Sequence, residues 1–254
     1  MKLTKNGMSS VMPNTQKNFV TFQENLRMEK QALVDQYLKK IGRRRKKYFS
    51  FNNIMSELDR IQATIKSGRE QLRYNDKPLD YTLLDFWRWS VSDILSNATR
   101  GRFAEFIVAT AINVDQSELR DEWSTYDLIT ADGIKLEIKS AAYIQSWFQR
   151  TLSKIMFSTK SALYWDSLTN KQSEAKKRHA DVYVFCLLYH DNKQTIDPLN
   201  LNQWEFYILA TRELNEYKRS QHSITLKSLK GLTQAIPYDK LNETIKVKHQ
   251  QNLH

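Results

Sequence analysis

Tyr126-Asp127-Leu128-Ile129-Thr130-Ala131-Asp132-Gly133-Ile134-Lys135-Leu136-Glu137-Ile138-Lys139 is the stretch on which the fold turns. Asp132-Gly133 is a hairpin turn signal with β-prone residues on both sides. On the returning arm Ile134, Leu136 and Ile138 face one way, and Lys135, Glu137 and Lys139 the other. Glu137 and Lys139 are two residues apart and so project together, while the turn brings Asp127 close to Glu137. Two carboxylates at such range repel, and raise one another's pKa unless a cation sits between them. A few oxygen ligands backed by water suit Mg²⁺ or Mn²⁺. A lysine beside them can hold an attacking water or stabilise charge on a phosphoryl oxygen.

Working outward, the spacing predicts a helix from Thr99 to about Ile112 that buries Phe103, Phe106, Ile107 and Ala111. Glu105 lies beside that apolar face and could bring a third carboxylate to the same cluster. Further strands are expected near 119–123, over 126–130 and over 154–160, where Ile155, Phe157 and Thr159 alternate with polar residues. The apolar run over 180–188 reads as a central strand buried on both faces. Another strand is expected over 204–209, with helices near 211–218 and 238–245. The stretch 75–83 reads as a connector, 166–180 as a long loop, and the aromatic-rich segment 83–95 as core packing.

Glu105 on a helix, Asp127 at a strand start and Glu137-Ile138-Lys139 on the next strand resemble the PD-(D/E)XK nuclease superfamily, over roughly residues 92–210. Within it, Lys135 to Trp147 and Ala180 to Leu188 look like a little-characterised bacterial and phage branch. The resemblance implies an α/β, restriction-endonuclease-like core, a mixed central sheet flanked by helices. It implies that Asp127 and Glu137 ligate a metal, that the main-chain carbonyl of Ile138 completes that shell, and that Glu105 binds a metal-held water or a second metal. Lys139 would position or activate the water, and Gln145 falls where some members place a polar residue contacting the site or the phosphate. Tyr126 stands where the name-giving proline would be, a tolerant position. The bland alternative is a charged outer sheet face with surface ion pairs, which requires Glu105 to point to solvent, away from Asp127 and Glu137.

Charge is distributed around this segment with a change of sign. The 254-residue chain has 39 Lys+Arg against 28 Asp+Glu, a formal charge of +11. Residues 1–60 hold 13 basic and 5 acidic side chains, residues 92–145 hold 5 and 9, and residues 146–254 hold 16 and 10. An acidic centre between basic flanks suits a protein that holds phosphate with its flanks and a divalent metal at its middle. The expected phosphate contacts are the run Arg43, Arg44, Arg45, Lys46 and Lys47, and the loop residues Lys176, Lys177 and Arg178. The N-terminal region, residues 1–75, is read as a basic helical extension with Phe19, Phe22, Leu26, Leu33, Tyr37 and Ile41 on one face, and 76–254 as the nuclease domain.

Other chemistries have less behind them. Five histidines are scattered without metal-ligand spacing, and Cys186 is single and lies mid-strand in an apolar run. No nucleophile elbow, P-loop or dinucleotide glycine fingerprint is present. No apolar run approaches the ~20 residues of a membrane span and no signal-peptide pattern opens the chain, so the expectation is a cytoplasmic protein with no membrane partner. The reading is a Mg²⁺-dependent endonuclease that hydrolyses DNA phosphodiester bonds, in a restriction or phage-defence setting, with Mn²⁺ substituting. The alternative is a DNA-binding module that keeps the nuclease fold without catalysis. A homodimer, and a partner protein held through the N-terminal helices, are further expectations.

Overall fold

The structure, a computed structural model, describes residues 61, 63–114, 124–166 and 171–253. The helical face from Phe19 to Ile41, the basic run from 43 to 47 and the strand expected near 119–123 lie outside the described residues.

The centre of the molecule is a mixed four-stranded sheet in the order β3-β4-β8-β9. The outer strands β3 (Leu128–Ile129) and β9 (Trp204–Ala210) run antiparallel to their neighbours. The inner pair, β4 (Lys135–Ala142) and β8 (Val182–Leu188), is parallel. The alternation in β4 is borne out: Ile134, Leu136 and Ile138 are buried, while Lys135 is exposed and Glu137 and Lys139 are half-buried. Every residue of β8 is buried, as a strand covered on both faces requires.

One face of the sheet packs against α2 (Asn97–Ala111) and α5 (Leu241–Leu253). Leu136, Ile138, Val184 and Cys186 from the strands meet Ala104, Ile107 and Val108 from α2, and Leu241 and Ile245 from α5. The other face is covered by a short ribbon of β5 (Met156–Ser158) and β10 (Ser223–Thr225), by α3 (Thr211–Glu216) and by α4 (Leu226–Lys230). There Phe157 meets Phe185 edge-on at 5.2 Å between ring centroids, with Tyr207, Leu209, Leu214 and Ile224 around them. The sheet is therefore covered on both sides by apolar layers, as the unbroken apolar run of β8 requires.

Several expectations are corrected. The segment 75–83 is not a connector: β1 (Gln71–Tyr74) and β2 (Lys77–Thr82) form a hairpin, closed by Asn75 and Asp76 at φ 47° and 57°. Positive φ at both central residues is what a two-residue hairpin turn demands, and Asn and Asp tolerate it best after glycine. Helix α1 (Leu83–Val91) follows, started by a reciprocal cap in which Asp85 N–H donates to the Thr82 hydroxyl and Thr82 N–H donates to the Asp85 carboxylate. Of the aromatic-rich segment 83–95, Leu95 packs against the core, but α1 has no buried residue and Trp89 is 84% exposed. Phe106 is also exposed rather than buried. Within the expected loop 166–180, the short pair β6 (Trp165–Asp166) and β7 (Lys171–Gln172) forms a small ribbon.

Candidate active site

The hairpin of β3 and β4 builds the site from backbone upward. Leu128 lies opposite Leu136 and Ile129 opposite Lys135. The turn is closed by Thr130 N–H to Ile134 carbonyl at 3.0 Å, with Gly133 at φ 83°, a conformation that favours glycine. Just before β3, Asp127 N–H donates to the Leu136 carbonyl at 2.9 Å. The Asp127 carboxylate in turn accepts from Ile138 N–H at 2.7 Å. Asp127 thus caps the strand edge where β3 stops, and its carboxylate is fixed beside the backbone of Glu137-Ile138-Lys139. The N–H and C=O of a strand residue share one edge, so the Ile138 carbonyl faces the same side as Asp127.

Glu137 and Lys139 leave the sheet on the opposite face from Leu136 and Ile138, and their side chains form an ion pair. Both are sheltered, with side-chain exposures of 21% and 28%. Burial raises the Glu137 pKa above the usual carboxylate range; Lys139 offsets part of this, while Asp127 and Glu105 push it further up. Glu105 is half-buried on α2, and its charge is the smallest of the influences on Glu137. The Cys186 thiol reports the same neighbourhood. It is raised chiefly by burial and further by Asp127 and Glu105, and it is an inert thiol in the middle of β8.

Gln145 has a different environment. It is buried, its side-chain carbonyl accepts from Arg100 at 3.1 Å, and its amide donates to the Ala142 carbonyl at 2.9 Å and to Ser153 at 3.2 Å. Of the expected phosphate contacts in the described residues, Lys176 and Lys177 are exposed. Arg178 is committed to the fold: its guanidinium donates to the Thr159 carbonyl, to Asn215, and to the side chain and carbonyl of Gln221.

Two residues near the site were not anticipated. Tyr183 stands opposite Glu137 in the β4–β8 register and is buried. Burial raises its phenol pKa first and the Glu137 charge raises it further. Its signal was its phase in β8, which puts the strand's one hydroxyl group on the Glu137 face. Arg100 is buried at the start of α2 and donates to the Leu95 carbonyl and to Asn97, Ser140 and Gln145. Its position four residues before Ala104 and eight before Val108 put it on the inner helical face.

The arrangement offers oxygen donors only: two hairpin carboxylates, a main-chain carbonyl on the same edge and Glu105 nearby. Among the described residues, no three His, Cys, Asp or Glu side chains stand close enough together to hold a metal ion by themselves. Two carboxylates with water filling the remaining positions are enough for Mg²⁺, which keeps much of its hydration.

No curated protein sequence matches this chain. A family model described as bacteriophage T4 endonuclease IV matches residues 39–228, which include Glu105, the hairpin, β8, β9 and the ribbon of β5 and β10. That match covers well over half of the sequence, and the chain belongs to the bacteriophage T4 endonuclease IV family.

Proposed function

We propose that this endonuclease-family protein hydrolyses DNA phosphodiester bonds with Mg²⁺, or Mn²⁺ in its place, at the Asp127–Glu137–Lys139 site. The observation that carries the reading is the Asp127 carboxylate fixed on the Ile138 N–H beside the sheltered Glu137–Lys139 pair. Asp127, Glu137 and the Ile138 carbonyl would hold the ion, and Glu105 would hold a water on its far side. When bound, the ion supplies Lewis-acid stabilisation of charge on the phosphate. Lys139 holds and orients the attacking water, and donates to the phosphoryl oxygen on which charge develops. Asp127 keeps Ile138, and through it Glu137 and Lys139, in register by accepting the Ile138 N–H.

The hairpin-borne acid pair, the following lysine and the helix glutamate support placing the site in the PD-(D/E)XK class. Basic flanks support DNA as the polyanion: residues 1–60 hold 13 basic side chains, and Lys176 and Lys177 are open to solvent. A setting in restriction or phage defence, a cytoplasmic location, action as a homodimer and a protein partner for residues 1–75 belong to the same proposal.

The test is cleavage of plasmid, linear duplex and single-stranded DNA by purified protein in Mg²⁺ or Mn²⁺. Asp127→Ala and Lys139→Ala should each cleave about 10²–10³-fold more slowly, while DNA affinity measured in chelator stays within a few-fold. Absence of cleavage on every substrate with intact binding would favour the non-catalytic binding module.

A further inference from the structure

The chain that leaves β4 forms a closed loop whose interior and tip are chemically opposite. Its ends meet where Ser153 N–H donates to the Tyr143 carbonyl at 2.9 Å. Inside, Gln149 donates to the Tyr143 carbonyl at 3.1 Å and to Ser153 at 3.0 Å, and accepts from Gln145 N–H at 2.6 Å. Gln145 ties this interior to the buried Arg100 on α2. Such a compact loop, closed at its ends and packed by its own side chains, is frequently functional. Yet its tip presents two consecutive aromatic rings to solvent, Trp147 at 52% exposure and Phe148 at 83%. The Trp147 carbonyl is held by the Lys193 ammonium at 3.0 Å, and Arg150 is exposed two residues beyond Phe148.

We infer that Trp147 and Phe148 form a stacking platform for an unstacked nucleobase of the substrate, on the loop that directly follows the site-bearing strand β4. Leaving two large rings in water is unfavourable by the area they expose. A buried polar network that holds the loop in this form keeps the rings from folding back onto the protein. A base has an apolar face that such rings cover regardless of sequence, and the flanking cations suit the phosphates on either side of it. Because β4 carries Glu137 and Lys139 and runs directly into the loop, a base held at the tip fixes the register of the strand relative to the reacting phosphate. The inference rests on a nucleic-acid substrate, and so on the function proposed above, but not on catalysis itself.

The experiment measures binding of single-stranded and duplex oligonucleotides in chelator, where cleavage cannot contribute, for the wild type, the double variant Trp147→Ala/Phe148→Ala and the conservative Phe148→Tyr. Both rings are exposed, so the double variant should keep the wild-type melting temperature. It should bind single strands about tenfold to a hundredfold more weakly, and Phe148→Tyr should bind as the wild type does. A loss confined to single strands assigns the platform to bases already unpaired. An equal loss on duplex assigns it to a base drawn out of the helix. Unchanged affinity of the double variant for both substrates overturns the inference while leaving hydrolysis standing. Ring-dependent binding by a wild type that cleaves nothing in Mg²⁺ or Mn²⁺ overturns the hydrolysis reading and leaves the platform standing.

Discussion

The hairpin of β1 and β2 closes through Asn75-Asp76, both at positive φ, and the hairpin of β3 and β4 closes over a longer turn with Gly133 at positive φ, so both turns are set by local residues though of different type. Their surroundings differ completely. Leu72, Tyr74, Leu79 and Tyr81 of the first hairpin are exposed, as are Leu84, Phe86, Trp89 and Val91 of the helix after it. In the second, Ile134, Leu136 and Ile138 are covered by α2 and α5, and the parallel partner β8 locks the register residue by residue. Local propensity makes a hairpin in either place. Burial against a second layer is what fixes side-chain positions closely enough to group charges, and the carboxylates are gathered at the second hairpin.

The contrast can be broken at its strongest point first. Phe185 sits in β8 against Phe157, wholly buried, directly across from Lys139. Phe185→Ala should cost about 3–5 kcal/mol of stability, measured by denaturant unfolding, and should lower activity by loosening the strand beside the site. A loss below about 1 kcal/mol would mean that this layer is far less tightly packed than it looks.

The second prediction uses the acid whose folded pKa is raised. Below the ordinary carboxylate range Glu137 is protonated in both folded and unfolded chains and contributes no pH dependence. As pH rises past the ordinary glutamate value of 4.5, the unfolded chain ionises first, so stability falls until the folded pKa is passed, then levels. Thermal melts between pH 4 and pH 8 should show this decline, with other carboxylates held as a common background by comparison with Glu137→Gln. Saturating Mg²⁺ should flatten it, because a bound cation favours the ionised form. A slope of opposite sign, attributable to Glu137, would contradict the account.

The smallest expected effect lies in the first region. Trp89→Ser removes a ring that is 84% exposed and should change unfolding stability by no more than about 0.5 kcal/mol. A large loss would show that the exposed face of α1 is covered in solution, and would narrow the difference between the two regions.

Much of the second region was legible in the sequence because its signals are short-range. Asp132-Gly133 declares the turn, the Ile134-to-Lys139 alternation declares the faces, and the unbroken apolar run of β8 declares a strand with both sides covered. The helix carrying Glu105 was legible from its periodicity, but its inner face was only partly so: Ile107 is buried as expected, whereas Phe106 is exposed and Ala104 and Val108 take its place. Three features were hidden. Arg100 was not singled out, since its partners Ser140 and Gln145 lie 40 and 45 residues away in the chain. Gln145 gave no sign that Arg100 would claim its side chain. The aromatic richness of 83–95 read as core because hydrophobicity marks what burial would stabilise, not whether a second layer is there to bury it.

The central claim is that the acidic hairpin, not the basic flanks, holds a divalent ion. Calorimetric titration of Mn²⁺ into the wild type and into Asp127→Ala tests it most directly. The account predicts saturable binding in the wild type that Asp127→Ala abolishes or weakens by at least about tenfold. Equal heats of binding in both proteins, or none in either, would contradict it.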